Sequence, residues 1–346
     1  MKKTRNFSIF TILSLVTLCS CQNNYKKVGI FIYDKNDTFI RSLEKEIKSN
    51  LNNEFDLLQS EYAETNQTMQ NEQIVYCLEN NNPQLLLVNI VDRLAASSII
   101  EKASLTNTPV IFFNREPLFE DLKGTKNIYY VGINPTKEGN LQAELVNDIF
   151  EGNVNFLNKY DKNHDGKVGT MVYKGSMNHQ DAELRMKNSI KRLEELGYTL
   201  DLLSVKYCDW QRNLAYEEFA NEYNEYKDEI ELVLSGNDDM ALGVIDYLKT
   251  LPEYLEIGDK EFKDYFFPIV GNDATDVAIE SIQNGELSGT IVNNAYDQAE
   301  AIYEIAKRIF IEDENKWNDF PYTFNNSYYV HIEPQIYVKE TKSLQK

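Results

Sequence analysis

Along most of the chain, short apolar runs alternate with segments whose apolar positions recur every three to four residues. The runs Val28–Tyr33, Phe55–Leu58, Leu85–Val88, Pro109–Phe113 and Ile128–Val131 read as strands. Helices are predicted between and after them, over Thr38–Leu51, Gln67–Glu79, Ala95–Ser104 and Pro135–Phe150. A second series follows, with strands over Val168–Tyr173, Leu202–Tyr207, Leu232–Leu234, Pro268–Val270 and Gly289–Val292. Its helices fall over Asp181–Leu196, Arg212–Tyr226, Met240–Leu248, Ala274–Asn284 and Ala295–Ile311. Such alternation predicts an α/β protein with mostly parallel, doubly wound sheets. No low-complexity linker separates the two series, which favours two Rossmann-like domains joined by a hinge of several short crossings. The segment Tyr328–Lys339 alternates only weakly and is expected to cross back between the domains.

The first residues do not fit this rhythm. Lys2, Lys3 and Arg5 precede an apolar run, Phe7–Leu18, that is too short to span a bilayer as a mature helix. Leu18-Cys19-Ser20-Cys21 resembles a bacterial lipoprotein signal. Residues 1–20 then form the signal peptide, Cys21 carries the lipid, and residues 21–25 are a short tether. The protein is expected outside the cytoplasm, anchored to the cell membrane, in the periplasm or on the cell surface. Without the signal, 32 basic residues face 55 acidic ones, a net charge of −23. That balance argues against nucleic acid, whose affinity depends on Lys and Arg neutralising phosphates. Cys77 and Cys208 lack zinc-site spacing and are read as buried thiols.

Open α/β sheets bind ligands at the C-terminal ends of their strands. Polar residues recur at those ends: Asp37, Asn114 beside Arg115, Asn237, Asp273 and Asn293, with Phe39 and Trp210 nearby. Each one alone reads equally as a helix cap or turn residue. His179-x-Asp181-x-x-x-Arg185 adds a polar helix start, with Asp and Arg on one face. A sugar hydroxyl both donates and accepts, so planar Asn, Asp and Arg groups hold it in networks. Aromatic rings cover the C–H face of a pyranose.

Asp161-x-Asn163-x-Asp165-Gly166 has the opening of an EF-hand-type calcium loop, with the Lys167 carbonyl at the seventh position. The twelfth position, where an EF-hand places its bidentate Glu, is Val172, inside a run that reads as a strand. A calcium ion here needs its closing carboxylate from elsewhere in the chain. The alternative is a solvated turn rich in Asn and Asp.

PVIFFNREP, DKNHDGK, HQDAELR, GNDDMALG and SGTIVNNA together resemble the glucose/galactose-binding proteins of bacterial sugar ABC transporters, within the ribose-type sugar-binding family. The resemblance runs from Val28 to about Pro334 and implies the periplasmic binding protein type I fold. It divides the chain into one lobe of residues 26–133 and 294–328 and a second of 134–293 and 329–346. The implied sugar ligands are Asp37, Asn114, His179, Asp181, Arg185, Asn237, Asp273 and Asn293, with Phe39 and Trp210 as the stacking pair. The implied structural calcium ligands are Asp161, Asn163, Asp165, the Lys167 carbonyl and Glu231. The family's ninth loop ligand, a Gln, is Gly169 here. The expected function is binding of D-glucose or D-galactose by a monomer and delivery to an ABC-transporter permease. A sugar sensor for a chemotaxis or signalling receptor uses the same core. A glycoside-processing enzyme would need two carboxylates across the scissile bond, which Asp37, Asp181 and Asp273 are able to supply. A repressor of this fold would begin with a basic helix-turn-helix head instead of a signal segment.

Overall fold

Two helix-covered β-sheets form the two lobes of this chain. The computed structural model describes residues 25–155, 159–177, 179–258 and 260–339. The expected signal segment and Cys21 lie outside the described residues. The strands of the first half are β1 (Lys26–Ile32), β2 (Phe55–Leu57), β3 (Glu61–Tyr62), β4 (Leu85–Val88), β5 (Val110–Phe113) and β6 (Ile128–Ile133). The second half supplies β7 (Val168–Lys174), β8 (Leu200–Tyr207), β9 (Leu232–Ser235), β10 (Ile269–Asp273) and β11 (Gly289–Val292). Near the C-terminus come β12 (Phe324–Asn325), β13 (Tyr329–Ile332) and β14 (Gln335–Tyr337). The first sheet has the order β12-β13-β6-β5-β4-β1-β2, with β3 also pairing β1; the second has β14-β11-β10-β9-β7-β8. All pairings are parallel except β12 with β13 and β14 with β11.

Helices cover both faces, which is why Leu85–Val88 and Val110–Phe113 are buried at every position. The helices are α1 (Thr38–Leu51), α2 (Gln67–Asn80), α3 (Ala96–Leu105), α4 (Phe119–Leu122), α5 (Pro135–Ile149), α6 (Gln180–Leu196), α7 (Arg212–Tyr226), α8 (Asp238–Leu248), α9 (Phe262–Tyr265), α10 (Asp276–Gln283) and α11 (Ala295–Ile309). On one face of the first sheet, Ile30 and Leu87 pack with Leu43 of α1 and Ile302 of α11. On the other, Phe31 and Leu86 pack with Ile74 of α2 and Ile99 of α3. The second sheet is sandwiched likewise, by α7 and α8 on one face and α5 and α6 on the other. Cys77 and Cys208 are free buried thiols, and burial pushes their pKa values up to about 11 and about 12.

Three crossings join the lobes among the described residues. The first passes through Asn134, whose side chain caps α5, with Pro135 in the first turn where its missing N–H is harmless. The second is Asn293–Asn294, between β11 and α11. The third requires a correction. Residues from 329 onward were expected in the second lobe, yet β13 pairs with β6 in the first sheet and buries Tyr329, Val330 and Ile332 there. The chain crosses only at Glu333–Pro334, where a proline cannot donate to a ladder. Gln335–Tyr337 then closes the edge of the second sheet beside β11.

Candidate ligand-binding site

The strand ends of the two sheets face each other across a closed cleft. A cavity of about 30 Å³ remains there, lined by Tyr33, Asp37, Phe39, Asn114, Arg115, His179, Asp181, Arg185, Trp210, Asn237, Asp273 and Asn293. All ten residues named for sugar contact in the sequence thus meet at one place, five elements of the second lobe opposing two of the first. The space admits one or two water molecules, so a larger ligand gains access only when the lobes part.

Several of these side chains first organise their own backbone. Asp37 caps α1: its Oδ1 accepts from the Ile40 amide at 2.9 Å and its Oδ2 from the Tyr33 hydroxyl at 2.5 Å. Asn237 caps α8 through the Met240 amide and donates from Nδ2 to the Trp210 carbonyl at 3.2 Å. His179 caps α6, its Nδ1 accepting from the Asp181 and Ala182 amides at 3.2 and 3.4 Å. Burial, reinforced by Arg115 and Arg185, holds the imidazole pKa well below its ordinary value. A neutral ring whose Nδ1 accepts carries its proton on Nε2 and donates from there.

The backbone at the strand ends is strained. Asn114, Trp210 and Asp273 adopt φ of 62°, 64° and 122°, a region that non-glycine residues rarely occupy. Trp210 lies over Gly175 so closely that a Cβ there would fall 2.1 Å from the indole. Its ring meets the His179 imidazole edge-on at 5.3 Å, with the Arg185 guanidinium at 5.9 Å from its centre.

Arg185 is fixed from behind. Its Nε and Nη2 donate to Glu138 Oε2 at 3.0 and 2.7 Å, and Nη1 donates to the Gly236 carbonyl. Glu138 Oε1 accepts from Asn272 Nδ2, which also reaches Asp273 Oδ1 at 3.2 Å. Asn293 Nδ2 donates to the same Asp273 oxygen, while its Oδ1 accepts from Gln298. The carboxylates are held toward neutrality. Burial lifts the Asp181 pKa to about 7 against the opposing charge of Arg185. Burial and then the neighbouring Asp238 lift Asp273 well above the ordinary carboxylate range. A carboxyl group in its neutral form both donates and accepts a hydrogen bond.

Sequence reasoning gave no ligand role to four members of this constellation, although it noted Arg115 beside Asn114. Tyr33 stacks under the Arg115 guanidinium at 3.6 Å, and both line the cavity. The strand-end rule was enough to find them, since Tyr33 directly follows β1 and Arg115 lies two residues past β5. Glu138 and Asn272, in contrast, sit at ordinary core positions of α5 and β10, and only tertiary packing brings them behind Arg185.

The acidic loop lies apart, between α5 and β7. Asn163 Oδ1 accepts from the Asp165 amide and Asp165 Oδ1 from the Lys167 amide, both typical of Asx turns. His164 is exposed, as expected of a non-ligand position. Asp161 is buried, and neither carboxylate oxygen has a hydrogen-bond partner. A buried carboxylate in that state calls for a cation. Glu231 is fully buried nearby and accepts from the Lys162 and Gly169 amides at 2.6 and 2.9 Å. At Gly169 a Cβ would lie 1.8 Å from the Glu229 carbonyl oxygen, so no ninth-position side chain fits. Among the described residues, no three His, Cys, Asp or Glu side chains are gathered as a metal cage. The orphaned Asp161 carboxylate thus suits a hard cation, while the other acids are not gathered around it and one family ligand is lacking.

Two parallel-sheet lobes, three crossings and a polar, aromatic cavity at the facing strand ends define a two-lobe binding protein that encloses its ligand. A family profile described as "Periplasmic binding protein domain" matches residues 28–314, and the chain belongs to that family. It is 30% identical over 315 residues to the D-galactose/methyl-galactoside binding periplasmic protein of Haemophilus influenzae, covering 89% of each chain. Among solved structures it is similar to an ABC transporter solute binding protein from Bacillus halodurans with bound myo-inositol (TM-score 0.69, 21% identity, 92% of this chain and 96% of that one). It is also similar to a periplasmic solute binding protein from Actinobacillus succinogenes with bound D-allose (TM-score 0.71, 17% identity, 91% and 98%).

Proposed function

We propose that the protein binds a monosaccharide, D-glucose or D-galactose, between its lobes outside the cytoplasm and delivers it to an ABC-transporter permease without breaking a bond. The observation that carries this reading is the convergence of Asp37, Asn114, His179, Asp181, Arg185, Asn237, Asp273 and Asn293, with Phe39 and Trp210, on one closed cavity. Its donors and acceptors suit hydroxyls, and the Haemophilus relative binds galactose by name. Closure about a hinge is general among periplasmic binding proteins, and it is assigned to this chain by family. Sugar contacts from both lobes then favour the closed state. Calorimetry against a hexose and pentose panel is expected to give one-to-one binding of glucose or galactose, recovered unchanged. Release of a modified sugar, or binding of no member, overturns the reading.

The orphaned Asp161 carboxylate supports a structural calcium ion held with Asn163, Asp165, the Lys167 carbonyl and Glu231. The set is all oxygen and mostly anionic, which suits calcium over softer metals. Calcium at a hundredfold excess over its dissociation constant adds about 2.7 kcal/mol of stability. Thermal unfolding is therefore expected to shift upward with calcium and downward with chelator, and Glu231→Gln removes most of the shift. An unmoved melting temperature would leave the loop as a turn. The lipid anchor at Cys21 rests on the Leu18–Cys21 pattern. Native protein is expected to partition into detergent, and Cys21→Ser to release it or block processing.

A further inference from the structure

Two of the buried guanidinium groups in this chain are neutralised by a carboxylate. Arg185 is 5% exposed and pairs with Glu138; Arg308 is 8% exposed and pairs with Glu304. Arg115, also 8% exposed, departs from that pattern. Its Nη1 donates to the Val91 carbonyl at 2.7 Å, its central carbon lies 3.6 Å from the centre of the Tyr33 ring, and its Nε is buried without a partner. Among the described residues, no Asp or Glu bonds it. It stands in the wall between the inner cavity and a second chamber of about 1000 Å³, and lines both.

We infer that the site also takes hexuronates, sugars whose terminal CH2OH is oxidised to a carboxylate, and that Arg115 receives this carboxylate. The inference rests on the monosaccharide reading of the inner cavity and widens it to a charged class of ligand.

Three observations carry it. The first is the uncompensated charge. A buried cation without a counter-ion is costly, and a hydroxyl satisfies one N–H while leaving the charge unpaired. The Nε–Nη2 edge of Arg115 is free, and such an edge grips a carboxylate through two parallel bonds. The second is the company it keeps. Burial raises the pKa values of Asp37 and Asp273 and lifts that of Asp181 to about 7. In their neutral form these groups donate to an anion instead of repelling it. Glu138, the other acid behind the cavity, is committed to Arg185. The third is space. Turning CH2OH into a carboxylate adds a single oxygen, so a hexuronate fits where a hexose fits. A phosphate ester is larger and would project into the outer chamber. Asp34, Asp92 and Asp209 line that chamber, and an anion there meets unfavourable potential. The class is therefore a compact sugar acid and not a sugar phosphate.

Calorimetry of the full mature chain at neutral pH, with D-glucose, D-galactose, D-glucuronate, D-galacturonate and glucose 6-phosphate, tests this. At least one hexuronate is expected to bind within about tenfold of its parent hexose, and the phosphate more weakly than either. Arg115→Gln is expected to weaken that hexuronate at least about tenfold more than it weakens the hexose. Arg115→Lys keeps the charge without the two-pronged edge and is expected to fall between. Thermal melts of the ligand-free variants separate a folding defect from a lost contact. If a hexose binds and every hexuronate is more than about tenfold weaker, the monosaccharide reading stands and this inference falls. It falls equally if Arg115→Gln weakens hexose and hexuronate alike. If neither class of sugar binds, both readings fall.

Discussion

Trp210→Ala is expected to weaken monosaccharide binding by about 2–4 kcal/mol, the loss seen when a central aromatic anchor is truncated. In dissociation constant that is roughly thirtyfold to several hundredfold. The size follows from how many site residues the tryptophan touches. Its ring borders the cavity, meets His179 edge-on at 5.3 Å and shares a face with Arg185. Its carbonyl accepts from Asn237, another cavity residue. Removal therefore deletes a stacking surface and the ring that His179 and Arg185 pack against, while the main-chain bond to Asn237 remains. Trp210→Phe is expected to recover much of the affinity, because stacking needs a flat face and not the indole nitrogen. Gly175→Ala supplies an independent check. Its new methyl would overlap the ring at 2.1 Å and displace it, so affinity falls although no cavity residue has changed. Tight binding by Trp210→Ala would remove the tryptophan from the stacking role.

Much of this site was legible before any coordinates, and the reason is local. In a doubly wound sheet the functional positions follow strands, and strands announce themselves as apolar runs such as Val110–Phe113 and Leu232–Ser235. The cap reading and the ligand reading of Asp37, His179 and Asn237 turn out to be compatible. Each side chain spends one acceptor on its helix and still lines the cavity. A choice between the two was never needed.

What was not legible depends on distant pairing. Tyr329–Ile332 carries no mark of which sheet it joins; the match of its apolar residues to β6 decides, and the expected lobe boundary missed it. Two-residue strands such as Glu61–Tyr62 have no period to detect. Glu138 is the clearest case. In sequence it is one acid in the first turn of an amphipathic helix, where it reads as a favourable charge near the N-terminus. In the fold it is fully buried and serves a guanidinium on another helix.

Glu138→Ala is accordingly expected to have the largest effect on stability of any single change away from the cavity wall. The Arg185–Glu138 pair is almost dry, with side chains 6% and 0% exposed. Burial opposes the charge on Arg185, and Glu138, Asp273 and Asp181 outweigh it, so its pKa lies above the ordinary arginine value. Deleting the nearest carboxylate strands a buried guanidinium and costs about 3–5 kcal/mol. For a lobe of this size, that lowers its urea midpoint by roughly 1 M or more. Asn272 loses its Glu138 acceptor in the same step. Glu138→Gln keeps one oxygen, for either Arg185 or Asn272 but not both, and is expected to fall between the alanine variant and the native protein. Glucose or galactose affinity should drop in both variants even under conditions where they remain folded, because Arg185 is then free to leave the position it holds at the cavity. A Glu138→Gln protein with native stability and native affinity would show that Asp273 and Asp181 alone compensate the arginine, and that Glu138 positions nothing.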